Sequence, residues 1–311
     1  MKPRNNQLDA RRGALILLVV WGHLLENRGI EQSLYFAIYT FHISAFAMIS
    51  GMVASPQIGI QGLRRLCHRI LLPLLAFQIL YSLALTYFMP DRAISITTPA
   101  LIIWFLFSLL TWKLLLPLVK RIPYAIPLSI IAALLVGYVD WIELEFSLSR
   151  TFVFFPAFLF GHYYSTMITS LAARYRLTFG TAFVVLFSLA VGISAHIDTA
   201  LLWGAHPYST FPDEALPIAS RALIIFTGIA MSVFFFAIVP VQSDKLTHLG
   251  RRTMPVYLLH GFPVLLFWTI DTRGYSGVAF SVLTATLAII LALLLSNVSV
   301  AKLQTRMTGK G

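Results

Sequence analysis

Acidic residues are scarce in this chain and cysteine is nearly absent. Only 12 of the 311 residues are Asp or Glu, charged residues together make up 11%, and Cys67 is the single cysteine. One cysteine excludes an internal disulfide and any cysteine-based metal site. So few charges exclude a water-covered globule, because soluble domains carry about 25% charged residues. There is no low-complexity stretch. The lack of a convincing internal repeat argues against an inverted-repeat transporter.

What the chain has is apolar sequence. Hydrophobic residues are 58% of it and the mean hydropathy is +0.82. A membrane span needs about 20 mostly apolar residues. Apolar runs between charged or Pro/Gly-rich breaks predict ten spans, at 12–27, 33–54, 69–89, 99–119, 123–141, 149–168, 177–195, 219–241, 253–270 and 277–299. The expected fold class is therefore all-α, a polytopic integral membrane protein forming a single domain over 1–311. With the N-terminus inside, 18 of the 23 basic residues fall on cytoplasmic segments, leaving Arg28, Arg92, Arg150, Arg221 and Arg273 outside. That is the Lys/Arg bias that orients membrane proteins, and an even number of spans puts both termini in the cytoplasm. The net charge of +11 then reflects topology and anionic headgroups, with no nucleic-acid partner required. The first run resembles a signal peptide, but no small-residue cleavage site follows, so it is expected to be retained.

Ionisable groups at membrane depth are costly and are usually functional. His23 lies eleven residues beyond Arg12, roughly 16 Å into span one at about 1.5 Å per residue. His42 sits at similar depth in span two, and Glu26 shares the helical face of His23, where its carboxylate can fix the imidazole tautomer. A satisfied structural pair of histidines is the competing reading. Tyr35, Tyr39, His42, Phe46 and Ser50 follow steps of four, three, four and four along one face of span two. Such a stripe suits a sugar site or a polar channel, and equally suits helix packing. Arg64, Arg65, His68 and Arg69, the pair Arg251 and Arg252, and the pair Arg11 and Arg12 mark three cytoplasmic span mouths. Arginine forks can grip phosphate there, or serve only as topology signals. Arg150 is a cation on the sparsely basic outer side, able to bind an acceptor or to neutralise Glu143 or Glu145. His260 lies at mid-depth in span nine, His162 is a weaker candidate, and His196 and His206 read as loop residues. The outer loop from His196 to Ser220 is long enough for a lid or binding loop.

The segments Asp9–Glu26 (DARRGALILLVVWGHLLE), Tyr39–Gly51 (YTFHISAFAMISG), Arg69–Pro73 (RILLP), Trp104–Trp112 (WFLFSLLTW), Ser149–Gly161 (SRTFVFFPAFLFG) and Leu249–Phe262 (LGRRTMPVYLLHGF) carry a resemblance. In this order they resemble the integral-membrane acyltransferase 3 family, most closely its fucose 4-O-acetylase-like branch. The resemblance implies an inner- or plasma-membrane enzyme that moves an acetyl group from cytoplasmic acetyl-CoA to a hydroxyl of an extracytoplasmic or lipid-linked glycan. It implies that His23 matches the family's essential histidine and Arg12 its partner arginine. The arginine pair before span three corresponds to Arg65 and Arg69, four residues apart here and often three apart in the family. The expected catalytic set is His23, Glu26 and His42, with His23 as general base or transient acyl carrier. Arg12, Arg65, Arg69 and Arg252 are expected to hold acetyl-CoA, and Tyr39, Ser50, Arg150 and His260 the acceptor, with no metal. A transporter or flippase for a sugar or lipid-linked saccharide is the alternative function.

Overall fold

In hydrocarbon a backbone has no water to bond, so a chain this apolar must satisfy its own amides within helices or a closed barrel. The computed structural model describes residues 5–26, 32–89, 95, 97–270 and 277–297, which are helical without any strand. Its helices are α1 (Asn6–Leu25), α2 (Gln32–Tyr39), α3 (His42–Met52), α4 (Ile60–Leu66), α5 (Leu72–Phe88), α6 (Trp104–Val119) and α7 (Ala125–Leu135). They continue as α8 (Leu148–Arg174), α9 (Arg176–Ile193), α10 (Pro217–Ile238), α11 (Asp244–Gly250), α12 (Thr253–Leu259), α13 (Gly261–Thr269) and α14 (Val278–Leu295).

Each of the ten expected spans overlaps a helical segment. Six segments are long and apolar enough to cross a membrane: Gln32–Met52, Ile60–Phe88, Leu101–Val119, Arg176–His196, Pro217–Ile238 and Val278–Leu295. Ala125–Tyr138 and Thr253–Thr269 are apolar but shorter. The other two differ for a chemical reason: α1 opens on Asp9, Arg11 and Arg12, and α8 carries His162, Tyr163, Tyr164 and Ser165 mid-length. Lys2, Arg4, Arg28, Arg92, Arg273, Lys302, Arg306 and Lys310, used above for orientation, lie outside the described residues.

The chain divides into two units. The first draws on Met1–Phe46, Thr166–Ile197 and Ala230–Gln304. Its core joins Ile16, Val19, Val20 and Leu24 of α1 to Leu249, Val256 and Val264, and to Ala288 and Ala292 of α14. Thr284, Ala288 and Ala292 recur every four residues, so α14 turns small side chains toward the core and lets a neighbouring backbone come near. α1 and α11 come closer still. A Cβ on Gly13 would overlap the Leu246 carbonyl, and one on Gly250 the Asp9 carbonyl. Glycine is therefore required on both sides of this crossing.

Helix breaks in this unit have local causes. Between α2 and α3 no proline intervenes. Instead the Thr40 hydroxyl donates to the Phe36 carbonyl at 2.9 Å, and the His42 imidazole to the Ile38 carbonyl, also at 2.9 Å. Both carbonyls also accept a backbone N–H, from Thr40 and from Phe41 respectively, and a hydroxyl or imidazole added to such a carbonyl bends a helix. Between α12 and α13, Pro263 lacks the N–H that would meet the Leu259 carbonyl, and the helix breaks at His260.

The second unit draws on Ala47–Ser165 and Asp198–Ile229. Here Gly51 and Gly161 repeat the close crossing, against the carbonyls of Phe158 and Met48. Ahead of α5 the chain makes a π-helical turn over Cys67–Leu71, closed by Leu72 N–H to the Cys67 carbonyl. Pro73, two residues past this turn, cannot supply the N–H that the Arg69 carbonyl would accept in a regular helix. Most of the long loop expected to be a lid belongs to this unit and is tied down. Ser149 Oγ donates to the Gly204 carbonyl at 2.7 Å, Tyr208 Oη to the Leu134 carbonyl at 2.8 Å, and Arg221 to the His206 carbonyl at 2.6 Å. Burial holds the His206 imidazole below the ordinary histidine range and pushes the Tyr208 hydroxyl up.

Replacing Gly250 by Val should cost about 1–3 kcal/mol of stability through overpacking. The check is thermal unfolding in detergent, with Gly59→Val, whose Cβ would meet nothing within 4 Å, as the control that leaves the midpoint in place.

Candidate active site

The last four carbonyls of a helix lack an intrahelical donor. His23 stands in the last turn of α1, and its carbonyl accepts the Trp268 indole N–H at 3.1 Å. That bond fixes the helix end from α13, where Trp268 resides. The His23 side chain then meets two groups through one nitrogen. Its Nδ1 lies 3.3 Å from Glu26 Oε2 and 3.2 Å from the Tyr39 hydroxyl. A carboxylate oxygen only accepts, so Nδ1 carries the proton and Nε2 is the basic nitrogen. Glu26 is the first residue past the helix, with extended backbone (φ −58°, ψ 133°), so its side chain turns back toward the ring. The His23 and Glu26 side chains remain 20% and 19% exposed, whereas His42 is 3% and His260 0% exposed.

His42 and His260 share one device. Each imidazole donates from Nδ1 to a carbonyl four residues earlier, Ile38 at 2.9 Å and Val256 at 3.0 Å. His260 Nδ1 also lies 2.8 Å from the Tyr257 carbonyl. A carbonyl cannot donate, so both neutral rings hold the proton on Nδ1 and a lone pair on Nε2. The rings gather around His23. The His260 centroid is 5.4 Å from that of His23, Tyr39 is edge-on to His23 at 6.1 Å, and Tyr39 meets His42 edge-on at 4.4 Å. Tyr35 stacks on Tyr39 at 3.8 Å. The stripe expected on one helix thus holds together across the α2–α3 break as far as His42. Phe46 packs on the core of this unit, and Ser50 belongs to the other.

A second polar group lies at the start of α1. Asp9 is 1% exposed, with Arg12 Nη1 at 3.3 Å and Arg251 Nε at 3.7 Å. Arg251 also donates to Asn6 Oδ1 at 2.9 Å, and Arg252 contacts His248. Two guanidiniums on one buried carboxylate leave surplus positive charge, and Arg12 and Arg252 stay partly exposed. Arg11, one residue from Arg12, does different work. It is buried, donates Nε–H to the Phe236 carbonyl at 3.3 Å and lies over the Phe236 ring. Phe236 falls in the last turn of α10, where a cation meets the orphan carbonyls and the negative end of the helix dipole.

The remaining expected residues stand in the second unit. Arg65 and Arg69 are exposed, and Arg65 donates to the Gln61 carbonyl at 3.2 Å. Arg69 lies inside the π-helical turn. Arg150 donates to the Trp203 carbonyl at 3.3 Å and lies 4.7 Å over the Trp104 ring. Ser50 is partly buried in α3.

Residues 5–297 match the acyltransferase 3 family, described as an acyltransferase domain, and the chain belongs to that family. No curated protein and no solved structure matches the chain. Among the described residues no group of three or more His, Cys, Asp or Glu side chains could hold a metal ion.

Residue-by-residue reading of the sequence missed Trp268 and Asp9 as members of these groups. Nothing in the sequence ties Trp268 to a carbonyl 245 residues away. Asp9 did carry a signal, as one of only two acids on the segments assigned to the cytoplasm.

Arg11→Ala should lower the melting temperature in detergent by several degrees, leaving the Phe236 carbonyl without its buried donor. Arg12→Ala should lower it far less, since Asp9 keeps Arg251.

Proposed function

We propose that this acyltransferase is an O-acetyltransferase of the cell (inner) membrane. Ten spans place both termini in the cytoplasm. Acetyl-CoA enters from that side, and the acceptor is a hydroxyl of an extracytoplasmic or lipid-linked glycan. The observation that carries this reading is His23, with Nδ1 committed to Glu26 and Tyr39 and Nε2 left basic. Arg12 and Arg252 take the donor's phosphates as guanidinium forks. His23 Nε2 removes the proton from the acceptor hydroxyl while its oxygen attacks the thioester carbonyl carbon. The carbon–sulfur bond then breaks, CoA leaves as thiolate, and the imidazolium returns the proton to sulfur. His42, lined up through Tyr39, and Tyr39 itself position His23, with Ser50 and Arg150 on the acceptor.

His23→Ala should cut acetate incorporation into the glycan about 10²- to 10⁴-fold, while folded protein and glycan export stay normal. Mass spectrometry of glycan O-acetylation, alongside export, is the measurement. Lost export with acetylation irrelevant would instead favour a sugar or lipid-linked-saccharide flippase. Rapid-quench labelling with radiolabelled acetyl-CoA and no acceptor separates the two chemical routes. Direct transfer yields no protein-bound acetyl, whereas an acetyl-imidazole on His23 would accumulate in one burst.

A further inference from the structure

His260 is 0% exposed, and its Nδ1–H is consumed by backbone carbonyls at the α12–α13 break. Among the described residues its buried Nε2 has no hydrogen-bond partner. A buried acceptor that no donor reaches is destabilising, and native structures rarely keep one without a use. The ring stands next to the proposed base, centroids 5.4 Å apart and planes inclined by 34°. Anchoring the helix break uses only Nδ1. The opposite nitrogen is what a histidine adds over an asparagine.

We propose that His260 Nε2 accepts a hydrogen bond from a second hydroxyl of the acceptor, on the carbon next to the one being acylated. The substrate class is then a vicinal diol on a sugar ring. This rests on the acyl-transfer reading of His23. A reacting oxygen sits about 3 Å from the base nitrogen, and a hydroxyl donating to imidazole sits about 2.8 Å from it. With the two ring centroids 5.4 Å apart, oxygens on adjacent carbons can reach one ring each. The second hydroxyl orients the first and selects which position is acylated. A site with a committed acceptor discriminates against an analogue whose neighbouring oxygen is alkylated or missing.

The test uses cells making the full-length protein, with their own glycan isolated and the acyl position read by NMR. The expected product carries the acyl group beside a carbon bearing a free hydroxyl. An acyl group flanked only by linked, deoxygenated or hydroxyl-free carbons overturns the inference. Two substitutions separate binding from anchoring. His260→Asn retains a donor near Nδ1 but no distal acceptor, and His260→Gln places an amide oxygen near Nε2. The inference expects Asn to lose acylation ten- to hundredfold, or to scatter it to the neighbouring position, and Gln to retain more activity than Asn. Asn outperforming Gln at equal folded protein would mean an anchoring role and sink the proposal. Should neither variant fold, the native acyl position decides alone. Glycan acylation that survives His23→Ala would overturn the acyl-transfer reading itself, an outcome distinct from a misplaced acyl group.

Discussion

Everything in the His23 group depends on hydrogen bonds that must be closed without water. Inside a bilayer an unmatched carbonyl has no solvent to turn to, so each interruption of a helix needs a donor from elsewhere in the protein. The Trp268 indole supplies it to the His23 carbonyl, while two imidazoles add a second donor to the Ile38 and Val256 carbonyls, which already accept backbone N–H groups. A ring that donates from Nδ1 keeps its lone pair on Nε2.

Close packing of α1 makes this precision possible. Without a hydrophobic drive between helices in lipid, association relies on dispersion and on backbones that come near each other. Gly13 and Gly250 allow it at the start of α1, and Ala288 and Ala292 of α14 at its middle. The adjacent arginines then divide the work. Arg11 points inward and closes α10 through the Phe236 carbonyl, while Arg12 stays at the rim with Asp9. One side chain is buried against a helix end and its neighbour stays partly exposed.

Much of the fold was legible because spans have a plain signature. Length, hydropathy and the scarcity of acids gave an all-helical membrane chain, and all ten expected segments overlap helices. Depth arithmetic from Arg12 singled out His23, and an i, i+3 spacing singled out Glu26. The α2–α3 break was not legible, since Thr40 and His42 look like ordinary members of an apolar run. It arises from side chains choosing backbone acceptors, which no periodicity encodes. The long loop, expected to serve as a lid or binding loop, is pinned to Ser149 and Leu134 of its own unit, through side chains far away in sequence.

By itself the sequence determined where apolar segments lie, how many cations flank them, and which ionisable groups are stranded among them. Those are properties of composition and order along one chain. Only the tertiary structure decided that Trp268 would hold the His23 carbonyl, that Tyr39 would share Nδ1 with Glu26, and that His260 would stand beside His23. Such pairings depend on how separate helices rotate and approach, and dispersion between apolar surfaces fixes that only when all of them are packed together.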